Sequence, residues 1–191
     1  ESMDGLNFGL REMAILAELC GQYLVTEPLI DTLTVASTVL MRSEHAANLV
    51  PDVISGDLIA IAAIDEPTAE SRMTTASSLS QTESGWHLQG EKYWISAGAS
   101  ATHFVVLADS CNGLAWVLVA KEAAGLSCET FPTHAGKGGA NCHFDLAISD
   151  DQILLMGDAA ADALSAFREC AMVLSSAETL GAAQAALDTT V

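Results

Sequence analysis

Apolar residues at Leu10, Met13, Ala17, Cys20 and Leu24 recur every three or four positions, which lines one face of a helix. Thr26-Glu27-Pro28 then reads as a cap with a proline in the first turn, and Leu29, Leu33, Ala36 and Leu40 predict a second helix. A third, shorter helix is expected from about Glu44 to Ile54, ended by Gly56. The period then changes. Leu58–Ile64 has the pattern of a buried strand. Thr74–Gln81, Gly85–Leu88 and Tyr93–Ser96 read as short strands parted at Ser84-Gly85 and at Gly90. His103–Ala108, Ala115–Ala120, Leu126–Phe131 and Cys142–Ile148 continue the series. Short, evenly spaced strands predict an antiparallel barrel or sandwich. From Ala159 the helical period returns through Leu164, Phe167, Ala171 and Leu174, and the Ala-rich Gly181–Leu187 extends it. The expected fold class is therefore α+β and multidomain. Residues 1–56 form N-terminal helices, 57–155 an antiparallel middle β-barrel domain, and 156–191 the first helix of a further helical bundle. The abrupt start at Glu1 and the end at Val191 without a stop signal read as a chain cut within a longer protein.

Composition narrows the partners. The net charge of −18, from 25 acidic and 7 basic residues, repels phosphate backbones and anionic lipid surfaces. No nucleic-acid partner and no membrane partner is expected, and no apolar run reaches spanning length. The five cysteines, Cys20, Cys111, Cys128, Cys142 and Cys170, are odd in number and form no C-x-x-C pair. No disulfide framework is expected, and a reducing, cytoplasmic setting fits. Cys142 and His143 are neighbours, but adjacent strand residues point to opposite faces, so no metal site is expected there.

Candidate chemistry begins at AAIDEPTAESRMTT, residues 62 to 75. On turn chemistry alone this is a surface turn, because Pro67 fixes φ and breaks the strand. Two further stretches change that reading: GWHLQGEKYWISAG, residues 85 to 98, and LGAAQAALDTTV, residues 180 to 191. IDEPTAES resembles the T-E-P-x-x-G-S motif of the acyl-CoA dehydrogenase family. The second stretch resembles that family's G-x-x-x-x-G-x-K-x-W-I-T/S-x-G hairpin, and the third the helix before its R-x-Q-F-G segment. The nearest pattern within the family is the small subunit of pimeloyl-CoA dehydrogenase and related two-subunit enzymes, to which GLREMAILAELCGQYLVTEP and FPTHAGKGGANCHFD are similar.

The resemblance implies FAD as cofactor and α,β-dehydrogenation of an acyl-CoA to a trans-2-enoyl-CoA. It also implies an electron-transfer flavoprotein as acceptor and a homo- or hetero-oligomer, in the context of fatty-acid β-oxidation. Ala62, Ile64 and Asp65 would lie along the flavin, and Ser71 would meet the FAD pyrophosphate and the bound acyl-CoA. Trp94, Ile95 and Ser96 would form the other wall, Trp94 packing beside the ring and Ser96 donating to flavin N5. Alternation puts Trp94 and Ser96 on one strand face. Taken alone, Trp94 reads as a core aromatic; with Gly90, Lys92, Ser96 and Gly98 in register, the flavin reading prevails. No catalytic residue is nominated, because the family's glutamate base belongs to the C-terminal helical domain.

The chain also departs from the pattern. Asp65 stands where the family has Thr, Glu70 replaces a glycine, and Arg72 replaces an Asp. Met172 falls where an Arg assists CoA binding; Arg168, one turn earlier, is either its substitute for substrate binding or a surface charge. These departures keep a second reading open, a non-catalytic subunit of a hetero-oligomeric dehydrogenase. An acyl-CoA oxidase is a third. His87 and His103 alternate with apolar neighbours, and the Gly-rich run after His134 lacks the P-loop pattern.

Overall fold

The computed structural model describes residues 9–67, 75–83 and 85–190. The chain divides into two compact units, residues 27–167 and residues 1–26 with 168–191. In the larger unit, α2 (Leu29–Thr38), two short 3-10 turns and α3 (Val50–Ser55) precede the strands. Gly56 closes α3 in the left-handed region at φ 83°, where a glycine is free of the Cβ penalty. Strands follow as β1 (Ala60–Ala63), β2 (Ser78–Thr82), β3 (Gly85–Ile95) and β4 (His103–Ser110). Then come β5 (Gly113–Ala120), β6 (Leu126–Phe131), β7 (Gly139–Ile148) and β8 (Ile153–Met156), before α4 (Asp158–Thr190).

The eight strands form one sheet in the order β6-β7-β3-β2-β4-β5-β8, with β1 also pairing β4. The expected antiparallel barrel is corrected in two respects. The ladder is open, since β6 and β8 end it without pairing each other among the described residues. It is also mixed, since β1 and β2 both run parallel to β4. The reason lies in the connections: β1 and β2 enter the sheet in the same direction and β3 alone runs against them, so β4 returns parallel to both.

Strand β4 carries the two-sided burial of the sheet. Phe104, Val106 and Ala108 face one cluster with Leu88, Val117, Phe144 and Ile148. Val105 and Leu107 face another with Val35, Val39 and Leu40 of the α2 region and Ala160, Ala163 and Leu164 of α4. A strand buried on both faces reads as a continuous apolar run, which FVVLA is. Trp116 is fully buried, and its Nε1 donates to the Ala160 carbonyl at 3.1 Å, tying β5 to the first turns of α4.

Several element boundaries differ from expectation for local reasons. Gly85–Leu88 and Tyr93–Ser96 are one strand, because Gly90 does not turn the chain. It lies in β3 where a Cβ would come 2.3 Å from Ser77 Oγ, so the glycine makes room for a neighbour. The expected α1 face holds only in part. The helix α1 spans Leu10–Gln22 and buries Ala17, Cys20 and Gly21, whereas Leu10 is exposed and Leu24 lies past the end at φ 50°. In α2 the buried residues are Ile30, Thr32, Thr34, Val35, Ala36 and Thr38, while Leu29 is exposed; Thr34 and Thr38 hydroxyls donate one turn back to Ile30 and Thr34 carbonyls, which satisfies them inside the core. Pro28, not Thr26, is the cap residue of α2. One disulfide, Cys128–Cys142, forms where none was expected. The two residues stand directly opposite each other in the β6–β7 register, a proximity that their sequence spacing does not reveal.

In the smaller unit, α1 packs against the later part of α4 through two glycines. A Cβ on Gly21 would stand 1.8 Å from the Glu178 carbonyl oxygen, and one on Gly181 would stand 1.8 Å from that of Glu18. Backbone, not side chain, is the obstacle on each side, so neither helix yields without separating. Gly21→Ala and Gly181→Ala are each expected to lower stability by about 1–3 kcal/mol, overriding the helix-propensity gain of about 1 kcal/mol that Ala brings. Urea denaturation midpoints check the sign: a rise on either substitution would contradict the close crossing.

Candidate active site

The site is built where the chain leaves β1 and crosses the end of β3. Three bonds fix the crossing. Lys92 Nζ donates to the Ile64 carbonyl at 3.1 Å and to Glu66 Oε1 at 2.6 Å, and Tyr93 N–H donates to the Asp65 carbonyl at 2.9 Å. The Lys92 side chain is fully buried and that of Glu66 is 3% exposed. A buried ion pair holds only if its remaining hydrogen-bonding capacity is met. Here it is. Lys92 makes its third bond to Thr75 Oγ1 at 2.8 Å. Glu66 accepts from the Thr75 hydroxyl, from Ala76 N–H at 2.5 Å, and from Ser77 N–H and Oγ at 2.9 and 2.7 Å.

These contacts set the charges. Burial alone would raise the Glu66 pKa, but bonds from Lys92, Thr75, Ala76 and Ser77 outweigh it and hold the carboxyl at about 2. Burial pushes Lys92 below its ordinary value, opposed by the Glu66 carboxylate. The pair escaped the sequence reading, although a signal was present. Leu88, Gly90 and Lys92 share strand parity, so Lys92 points inward beside the fully buried Leu88, and an inward lysine calls for a carboxylate.

Immediately after Lys92 the strand bulges. Lys92 pairs Cys142 and Ile95 pairs Ala140, so Tyr93 and Trp94 together oppose Asn141. Trp94 takes φ 56°, a region that bulky residues rarely occupy. Its N–H donates to Asn141 Oδ1 at 2.9 Å, and its ring stacks on Phe131 with centroids 5.0 Å apart and planes at 26°. The indole is 73% exposed, so the core-aromatic reading of Trp94 is excluded. The bulge also corrects the simple alternation expected of Trp94 and Ser96: both are exposed, but so is Tyr93 between Lys92 and Trp94. After Ser96 the chain turns through Ala97 and Gly98, and a Cβ on Gly98 would stand 2.7 Å from that of Ala140.

Among the residues expected to hold a cofactor, Asp65, Trp94 and Ser96 are exposed, Ala62 and Ile64 are half-buried, and Ile95 is in the core with only its backbone available. The Tyr93–Asp65 bond brings the 64–66 turn beside the bulge. Ser71, with Glu70 and Arg72, lies outside the described residues. Arg168 is half-buried and Met172 is 62% exposed, both on the part of α4 that belongs to the smaller unit. A groove next to Asn141 is lined by Glu91, Tyr93, Glu129 and His143; its carboxylates disfavour a phosphate there. No group of side chains suited to a metal occurs among the described residues.

With this geometry, comparison with known proteins is informative. Residues 62–149 match the family described as acyl-CoA dehydrogenase, middle domain. No curated protein matches the chain. Among solved structures, the ChsE4-ChsE5 complex from Mycobacterium tuberculosis is similar at TM-score 0.86 and 22% identity, over 99% of this chain and 51% of that one. PigA with FAD and proline is similar at TM-score 0.87 and 24% identity, over 97% and 53%. The glutaryl-coenzyme A dehydrogenase glutaryl-CoA complex is similar at TM-score 0.78 and 21% identity, over 94% and 48%. At these identities the likeness establishes the fold, and the chain spans about half the length of the solved chains it matches.

The ion pair makes a prediction about stability. Glu66→Gln leaves a buried ammonium without its counter-charge and is expected to cost about 3–5 kcal/mol. Lys92→Met leaves the carboxylate with its Thr75, Ala76 and Ser77 donors and is expected to cost less. The double substitution should cost less than the sum of the two, as a double-mutant cycle by denaturation would read. Because the folded pKa of Glu66 lies below its ordinary 4.5, its contribution is present above that value and is lost as pH falls through about 2. Glu66→Gln should flatten the stability profile across that window.

Proposed function

We propose that this chain, which carries the middle domain and the fold of the acyl-CoA dehydrogenases, works in an FAD-dependent α,β-dehydrogenation of an acyl-CoA thioester, as one subunit of an oligomer. The observation that carries the reading is Trp94: a strained, exposed indole, held from below and from behind, beside an exposed serine hydroxyl and a backbone turn. Such strain persists where the surroundings over-determine it, and it clusters at binding sites.

The residues present fit a flavin. The free face of Trp94 offers an aromatic plane against which an isoalloxazine packs. Ser96 supplies a hydroxyl donor for a ring nitrogen. The backbone of Ile64 and Asp65 supplies polar groups on a turn that the Lys92 and Tyr93 bonds keep from moving. FAD, when bound, accepts the hydride and so provides the redox step. Glu66 takes no part in proton abstraction, since it is buried and committed to Lys92. The acyl-CoA and an electron-transfer flavoprotein as acceptor belong to the same reading. Among solved structures of this fold, PigA is described with FAD and glutaryl-coenzyme A dehydrogenase with glutaryl-CoA.

A second reading, that of a partner subunit without its own turnover, is favoured by Asp65. Its exposed carboxylate on the flavin-side turn opposes build-up of negative charge on a reduced ring. The solved ChsE4-ChsE5 complex, built of two different chains, has the same fold.

The visible absorption spectrum of the full-length protein, followed by anaerobic addition of a panel of acyl-CoAs, separates the two. A flavin spectrum bleached by one thioester supports turnover and names the substrate class. A protein that stays colourless after incubation with FAD would sink the catalytic reading. Trp94→Gly should weaken FAD binding by about tenfold or more, the equivalent of ~1.4 kcal/mol. It should barely move the melting temperature, because relief of the left-handed strain offsets loss of the Phe131 stack.

A further inference from the structure

We infer that Phe131 and Asn141 are positioning residues that present the free face of Trp94 to the flavin, an inference that rests on the reading above. Neither residue lies on the strand that carries Trp94. The strand order is β6-β7-β3, so Phe131 on β6 must reach across β7 to touch an indole on β3. It does so over Gly139, its register partner on β7. A Cβ on Gly139 would stand 2.5 Å from the Phe131 ring, so the absence of a side chain there is what lets the ring lie across the intervening strand.

Asn141 acts on the backbone. In the bulge, Tyr93 and Trp94 share a single opposing residue, which leaves an N–H without a ladder partner. Asn141 Oδ1 accepts that N–H from Trp94 at 2.9 Å. The side chain thus replaces the missing ladder bond and holds φ in the left-handed region. Together the two contacts fix the indole at its backbone and along one ring face, and leave the opposite face to solvent.

The hairpin that carries both residues is itself held at several points. The Cys128–Cys142 disulfide crosses it next to Asn141, midway along the β6–β7 ladder. At its tip, the Gly138 carbonyl accepts Ala99 N–H at 3.3 Å, and Lys137 Nζ lies 3.6 Å from Asp31 Oδ2. A hairpin pinned at mid-length and at its tip gives Phe131 and Asn141 fixed positions against Trp94.

The test is an FAD titration of the full-length protein by flavin fluorescence, with near-ultraviolet circular dichroism recorded before FAD is added. Phe131→Leu, Gly139→Ala and Asn141→Ala are each expected to alter the aromatic dichroism and raise the FAD dissociation constant about tenfold. Phe131→Tyr, which keeps the ring, and Asn141→Asp, which keeps the accepting oxygen, should stay within about twofold of the wild type. If Phe131→Leu does not fold by far-ultraviolet dichroism, Asn141→Ala decides, since it removes one acceptor from a half-buried side chain. Variants that bind FAD as the wild type does, with or without a change in dichroism, overturn the inference alone. A wild-type protein that takes up no FAD overturns the flavin reading and this inference with it.

Discussion

The buried contact between Lys92 and Glu66 is the constraint on which the site depends. Two charges withdrawn from water are costly unless every donor and acceptor finds a partner. Here the ammonium meets Ile64, Glu66 and Thr75, and the carboxylate meets Lys92, Thr75, Ala76 and Ser77. The partners come from three stretches of chain: the turn after β1, the approach to β2, and β3 itself. An apolar residue at position 92 would fill the space but would fix none of those backbones. The ionic pair converts one packing position into a joint, and the joint is what lets β3 bulge one residue later without losing its place.

Placement of strain follows from that joint. The left-handed Trp94 comes two residues after the fully buried Lys92 and one before the buried Ile95. Anchors on both sides confine the departure from regular strand geometry to Tyr93 and Trp94. A bulge between two anchored inward residues turns outward side chains toward solvent at a defined angle, which an unbroken strand would not do. The same logic explains the small residues that follow. Gly98 approaches Ala140 closely, and Gly139 lies beneath the Phe131 ring, so the turn and the neighbouring hairpin close over the bulge with backbone rather than side chains.

Much of the architecture was legible in the chain because it follows from period and apolar runs. FVVLA in β4, the bounds of β6 and the long helix after Asp158 are of that kind. What period does not encode was misread or missed. Gly90 resembled a turn because glycine commonly is one, whereas here Ser77 excludes any side chain. The Cys128–Cys142 bond and the β1–β4 parallel pair depend on which strands become neighbours, a long-range property. Residues 64–66 and 94–96 were legible as a candidate site only through resemblance. Their adjacency rests on Lys92, whose burial could have been inferred from its parity with Leu88.

Asp65 and Glu66 show how little the residue type alone decides. They are adjacent carboxylates in one turn, yet Glu66 has five hydrogen-bond donors around it while the Asp65 side chain is exposed. The first is paired with a buried lysine and shielded from water. The second lies exposed on the turn beside the bulge, in a chain that already carries −18. An aromatic face with a fixed negative charge beside it favours a ring that is uncharged over one that has gained negative charge. Under the proposed flavin reading, the residue at position 65 bears on how readily a flavin held there is reduced.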